Sequence, residues 1–101
     1  MKKSKKEIIT EIQFYPIIPS NGVVCFISLT YQNLRINDIA IVTRPLGGYR
    51  ISYPIKKLNN GKVVQSVYPI THELGNKIEK QVLLAYTDFL RDNVKGESNG
   101  S

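Results

Sequence analysis

The sequence predicts an α+β fold, a single antiparallel, hairpin-rich β-sheet followed by a long C-terminal amphipathic helix. Two observations carry this. From Ile8 to Ile70 the apolar residues recur with the two-residue period of half-buried strands, broken by turn formers at Ser20-Asn21-Gly22, Gln32-Asn33, Gly47-Gly48 and Asn60-Gly61. After Thr71 the period lengthens to that of a helix and stays there to Phe89. The 101 residues make one domain, a size that buries about 65% of its unfolded surface. The domain is expected over residues 8–93, with a basic flexible arm at 1–7 and a disordered tail at 94–101.

The first strand is expected from Ile8 to Ile17, with Ile8, Thr10, Ile12 and Phe14 on one face and Pro16 and Pro19 ending it. Val23 to Tyr31 alternates cleanly and sets Val23, Cys25, Ile27, Leu29 and Tyr31 on one face. In Leu34 to Thr43 the parity of Leu34 and Ile36 is opposite to that of Ile39 and Ile41. That change of phase at Asn37-Asp38 predicts a β-bulge. Tyr49 to Leu58 and Lys62 to Ile70 form a hairpin around Asn60-Gly61, a pair suited to a type I′ turn with both central residues at positive φ. Pro54 has no N–H for a ladder, so the first of these strands is an edge or is broken there. Thr71 is the expected N-cap, and Glu73 complements the positive end of the helix dipole. Leu74, Ile78, Val82, Ala85 and Phe89 share the arc that must meet the sheet. Leu83, Tyr86 and Leu90 widen that arc beyond one sheet contact and are the candidate dimer contact.

Composition bounds the function. Hydrophobic content of 42% and charged content of 22% are globular values. Of the formal charge of +6, half comes from four lysines set against Glu7 in the arm. The rest permits a polyanion partner without demanding one. Cys25 has no internal partner and sits on a core-facing position, which makes it a buried structural thiol in a reducing compartment rather than a nucleophile. The basic start is followed by no apolar signal segment, and no apolar run reaches membrane-spanning length, so the cytoplasm is expected. His72 stands alone, and Glu11, Asp38, Glu73, Glu79 and Asp88 are scattered. No ligand set for a metal, nucleophile motif or phosphate loop is present, so no catalysis, cofactor or small-molecule substrate is expected.

What remains is a basic surface. Lys56, Lys57 and Lys62 flank the hairpin turn, Lys77 and Lys80 lie on the outer face of the helix, and Arg50 and Arg44 extend the set. Together they could neutralise several phosphates, while Tyr49, Tyr53 or Tyr68 could stack on unpaired bases if exposed. In a regular strand Lys56 and Lys57 point to opposite faces, so one shared patch requires an irregular segment.

Tyr53-Pro54-Ile55-Lys56-Lys57, Asn60-Gly61, Tyr68-Pro69-Ile70 and Gly75-Asn76-Lys77-Ile78, with Val82-Leu83 and Tyr86, occur in the order and spacing of one family. The chain resembles the stage V sporulation protein G family, also called septation regulators, over roughly Ile9 to Tyr86. Lys57 stands for the family arginine, Tyr68 for its histidine and Gly75 for an arginine at the helix start. The resemblance implies a small cytoplasmic homodimer that binds DNA, and in some members RNA, to regulate expression. By position it assigns phosphate contacts to Lys56, Lys57 and Lys77. The competing expectation is a protein-interaction module using the sheet edge and the Leu83/Tyr86/Leu90 stripe.

Overall fold

The structure, a computed structural model, describes residues 8–100, with side chains as far as Asp92. The expected arm lies outside the described residues, and so does Ser101. Four strands form an antiparallel meander in the order β1 (Ile9–Ser20), β2 (Val23–Tyr31), β3 (Leu34–Thr43), β4 (Tyr49–Ser52). A second, two-stranded sheet pairs β5 (Ile55–Lys57) with β6 (Val63–Gln65), and α1 (His72–Gly100) follows. The helix bounds run into 94–100, the stretch expected to be tail.

The alternation in β2 holds: Cys25, Ile27 and Leu29 are buried and Tyr31 is half-buried against the same core. The bulge in β3 is also present. Ile39 pairs with Ile27 and Ile36 with Leu29, which leaves an extra residue where Asp38 takes φ 66°. The bulge puts Ile39 and Ile41 into the core beside β2.

The first strand departs from expectation in two ways. A second bulge, at Glu11 with φ 52°, shifts the register between Thr10 and Gln13. Ile9 therefore takes the buried position, Thr10 is exposed, and Ile12 and Phe14 rejoin the core side beyond the bulge. The strand also runs through Pro16 and Pro19 to Ser20. It can do so because β1 is an edge strand, where an absent N–H costs no ladder bond if it would have faced outward. At the other edge, Pro54 breaks the strand expected from Tyr49 to Leu58. Its first part joins the main sheet as β4, and its second part leaves as β5.

Helix α1 covers one face of the main sheet. Thr71 caps it: the Leu74 N–H donates to Thr71 Oγ1 at 3.1 Å, and the Gly75 N–H to the Thr71 carbonyl at 3.1 Å. Ile78, Val82 and Tyr86 are buried against β2 and β3 residues, with Leu74, Leu83, Phe89 and Leu90 around them. Two polar side chains on either flank of this arc reach the sheet edges. Gln81 Oε1 accepts from the Ile9 N–H of β1 at 3.3 Å, and Glu79 Oε2 accepts from the Ile51 N–H of β4 at 3.1 Å.

On the opposite face Arg35 ties three strands together. Its guanidinium donates to the Glu11 carbonyl at 2.7 Å, to Thr30 Oγ1 at 2.9 Å and to Ser28 Oγ at 2.8 Å. Thr30 in turn donates to the Glu11 carboxylate at 3.1 Å. The Glu11 bulge is thus held by a fork of donors, and buried Ser28 gains its partner from the same group. The ion pair itself, 3.8 Å long with Glu11 largely exposed, adds little. Replacing Arg35 with Ala should lower unfolding stability by about 2 kcal/mol, because it strands the Ser28 hydroxyl and frees the bulge. Arg35→Lys should recover little of that loss, since one ammonium cannot present the planar fork. Urea denaturation of the three proteins checks this.

Candidate nucleic-acid interface

The lysines nearest the turn sit on a ribbon that stands apart. Among the described residues β5 and β6 pair with each other and with no other strand, while Ile55 at the base of the ribbon borders a hollow with Phe26, Asp38 and Ala40 of the main sheet. At the base of the ribbon the Ser66 N–H donates to the Pro54 carbonyl at 2.9 Å, which closes the hairpin where the chain leaves the sheet. The turn is not the two-residue type I′ expected. Leu58 and Lys62 still pair through Leu58 N–H to Lys62 O at 2.7 Å, and the Gly61 N–H donates to Leu58 O at 2.9 Å. Gly61 has φ 87° and Asn60 has a negative φ, the form of a type I turn closed by a glycine bulge. Asn60 Oδ1 accepts from the Lys62 N–H at 3.0 Å, a local bond that favours this geometry over the I′ turn. The Asn21-Gly22 pair, by contrast, takes φ 55° and 86°, both positive.

Register decides which lysines can act together. Lys56 lies opposite Val64 and Lys57 opposite Val63, in a regular antiparallel pairing. Their side chains therefore leave on opposite faces of the ribbon. Lys56, Lys57, Lys62, Val63 and Val64 are all exposed, so neither face is covered. The irregular segment that would have merged the two lysines into one patch is Tyr53-Pro54, which lies before β5 rather than inside it.

The other candidates are placed elsewhere. Lys77 and Lys80 are exposed on α1, and Lys77 pairs with Glu73 at 3.7 Å along the helix surface. In β4, Tyr49 and Ile51 turn toward the helix, so Arg50 leaves on the open face of the sheet. Arg44 is held at the β3–β4 loop, where its Nε donates to the Tyr49 carbonyl at 3.1 Å. The basic residues thus form separate groups on the ribbon, the helix and the open sheet face. Of the three tyrosines, only Tyr68 is exposed. Tyr49 is half-buried and meets Tyr86 edge-on at 5.2 Å, and the Tyr53 hydroxyl is buried with no partner among the described residues. Tyr86 is a core residue, 5% exposed and within 5.8 Å of the Phe14 ring, while Leu83 and Leu90 are half-buried against the same core. The surplus apolar width of the helix is therefore absorbed largely within the chain. Helix α1 reaches both outer strands, β1 through Gln81 and β4 through Glu79, which takes a wider arc than contact with one strand pair.

Three side chains that fasten the fold were invisible to periodicity: Arg35, Glu79 and Gln81. The available signal for the last two was position, since polar residues flanking an apolar helical arc on both sides are placed to reach sheet edges. Among the described residues no three His, Cys, Asp or Glu side chains gather as a metal-binding group. None of the described helices is long and apolar enough to cross a membrane.

The family model named SpoVG matches residues 8–88. A protein of Treponema denticola named "Putative septation protein SpoVG" is 30% identical over 78 residues, covering 77% of this chain and 84% of its own length. A protein of the same name from Symbiobacterium thermophilum is 28% identical over 93 residues, 91% of this chain and 66% of its own. Another from Clostridioides difficile is 28% identical over 83 residues, 81% and 89%.

Three buried groups make stability depend on pH. Burial pushes the Cys25 thiol up, although a backbone hydrogen bond from Tyr15 opposes it. Burial also raises the Tyr53 phenol, with the Glu79 carboxylate adding to the effect, and raises Tyr86, with Tyr49 and Cys25 adding. An unfolded thiol ionises near about 8.5 and a phenol near about 10. Above those values the unfolded chain releases protons that the folded chain retains, so stability falls as pH rises; below them these groups contribute no slope. The urea midpoint should therefore decline from about pH 8.5 upward. Tyr53→Phe should soften the decline and raise stability at neutral pH by about 1 kcal/mol, because it removes a buried hydroxyl with no partner among the described residues.

Proposed function

The chain belongs to the SpoVG family, and we propose that it is a non-enzymatic, nucleic-acid-binding regulator of the septation and sporulation type. In this reading it works in the cytoplasm as a homodimer whose ligand is DNA, with RNA the other nucleic acid to be tested. The observation that carries the reading is the ribbon β5–β6, a basic element exposed on both faces. A two-stranded ribbon with no core of its own has little reason to project from a small domain unless a partner takes its surface. Its exposed charges, Lys56, Lys57 and Lys62, suit phosphate better than an apolar partner. Lys77 adds a contact at the helix start, where Glu73 must yield it; an exposed pair of that kind costs less than about 1 kcal/mol to separate. Lys80 and Arg50 are secondary, since the family pattern assigns phosphate contacts by position to Lys56, Lys57 and Lys77 and to neither of them.

The alternative, a protein-interaction module, is weakened by the burial of Tyr86 and by the helix side chains that take one backbone N–H on each outer strand, Ile9 on β1 and Ile51 on β4. Salt separates the two readings, because counterion release is large only with a polyanion. A dimer presenting Lys56, Lys57 and Lys77 twice should show a log–log salt slope of about −5 on duplex DNA. Lys56→Ala with Lys57→Ala should flatten it to about −2. Deleting the first six residues should weaken binding to all sequences alike. Fluorescence anisotropy over a salt series measures all three; loss of binding on arm deletion alone, with the double variant unaffected, would move the site off the ribbon.

A further inference from the structure

Resting on the nucleic-acid reading, we propose that the ribbon β5–β6 enters the major groove of duplex DNA tip-first, its two faces toward the two phosphate strands and Asn59 toward the base edges. The first support is the placement of charge. Lys56 and Lys57 leave on opposite faces, so a single line of phosphates can engage only one of them at a time. A groove has a phosphate wall on each side, and there both are used.

Dimensions agree. A sheet with its side chains is about 10 Å thick, which fits a major groove of about 12 Å and not a minor groove of about 6 Å. At about 3.3 Å per residue, Lys57 and Lys56 lie about 7 and 10 Å back from Asn59 along the strand. With Asn59 at the floor of a groove about 8.5 Å deep, the two lysines reach the height of the backbones. The tip is open to an approaching duplex, since Leu58, Asn59, Asn60, Gly61 and Lys62 are all exposed.

The tip has chemistry suited to bases. Asn60 Oδ1 is engaged by the Lys62 N–H, which fixes the turn. Asn59 is exposed, and its amide offers one donor and one acceptor side by side, the pattern that reads adenine N7 and N6 in the major groove. Leu58, 37% exposed beside it, is placed for contact with a thymine methyl group.

The test uses the full chain, a short mixed-sequence duplex, its separated strands, and two groove ligands as competitors. Methyl green, which occupies the major groove, should displace the protein, and netropsin, which occupies the minor groove, should not. Lys56→Ala and Lys57→Ala should each reduce the salt slope by about 1 per protomer, equally for the two. Asn59→Ala should leave the slope unchanged and cost about tenfold in discrimination between duplexes recovered by selection and random ones. Displacement by netropsin alone, equal affinity for duplex and separated strands, or a slope that responds to only one lysine would overturn groove entry while leaving nucleic-acid binding intact. No binding to either form at low salt would overturn the reading on which it rests. The competition uses unaltered protein, so its outcome does not depend on any variant folding.

Discussion

The fold depends on how α1 is laid across the sheet. Val82, fully buried, sits at the centre of the contact, with Ile78 and Tyr86 one turn to either side. Without the helix, Cys25, Ile27, Leu29, Ile39 and Ile41 would all face water, and a four-stranded meander has no second layer to replace it. Apolar contact alone would allow the helix to slide or rotate. Gln81 at Ile9 and Glu79 at Ile51 fix it by bonding the backbone of both outer strands. The helix is thereby registered to the sheet by two directional contacts as well as by packing.

That registration also positions the ribbon. The chain leaves β4 at Ser52 and must reach the helix cap at Thr71. Both ends of the excursion are anchored, one in the sheet and one in the first turn of α1. At the second end, a Cβ at Gly75 would lie 3.2 Å from Pro69, so the chain approaches the helix closely just before entering it. A ribbon held at its base by fixed elements can keep its direction even though Lys56, Lys57, Val63 and Val64 on its two faces are exposed. This is the physical basis for treating Lys56 and Lys57 as positioned charges rather than as a floating basic segment.

Much of this was legible in the residues. The inward set of β2 follows from strict alternation, and the bulge at Asp38 follows from a change in parity between Ile36 and Ile39. The bulge at Glu11 was concealed because Ile8 and Ile9 are both apolar, so either parity satisfies the pattern. The two Asn-Gly pairs look alike in sequence yet take different turns. At Asn60-Gly61 the Asn60 side chain bonds its own backbone two residues on, whereas Asn21 and Gly22 join strands continuous with the main sheet. Opposite placement of Lys56 and Lys57 could be read from the period of two, but the break at Pro54 was needed to know that they leave the main sheet. Arg35 could not be found from any local pattern, since its partners are Glu11, Ser28 and Thr30 on two other strands.

The prolines of β1 have a consequence for how copies of this chain behave in a crowded solution. Edge strands invite strand addition by a neighbour, the first step of uncontrolled polymerisation. Near the start of β1 the outward amide of Ile9 is taken by Gln81. Farther along, where Ile17 and Ile18 lie exposed, no helix side chain among the described residues bonds the rim, and Pro16 and Pro19 supply no amide hydrogen. The most apolar part of the rim is thus left without a full set of donors for an incoming strand. The chain keeps its rim from growing by two different chemical means, occupation at one end and deletion at the other.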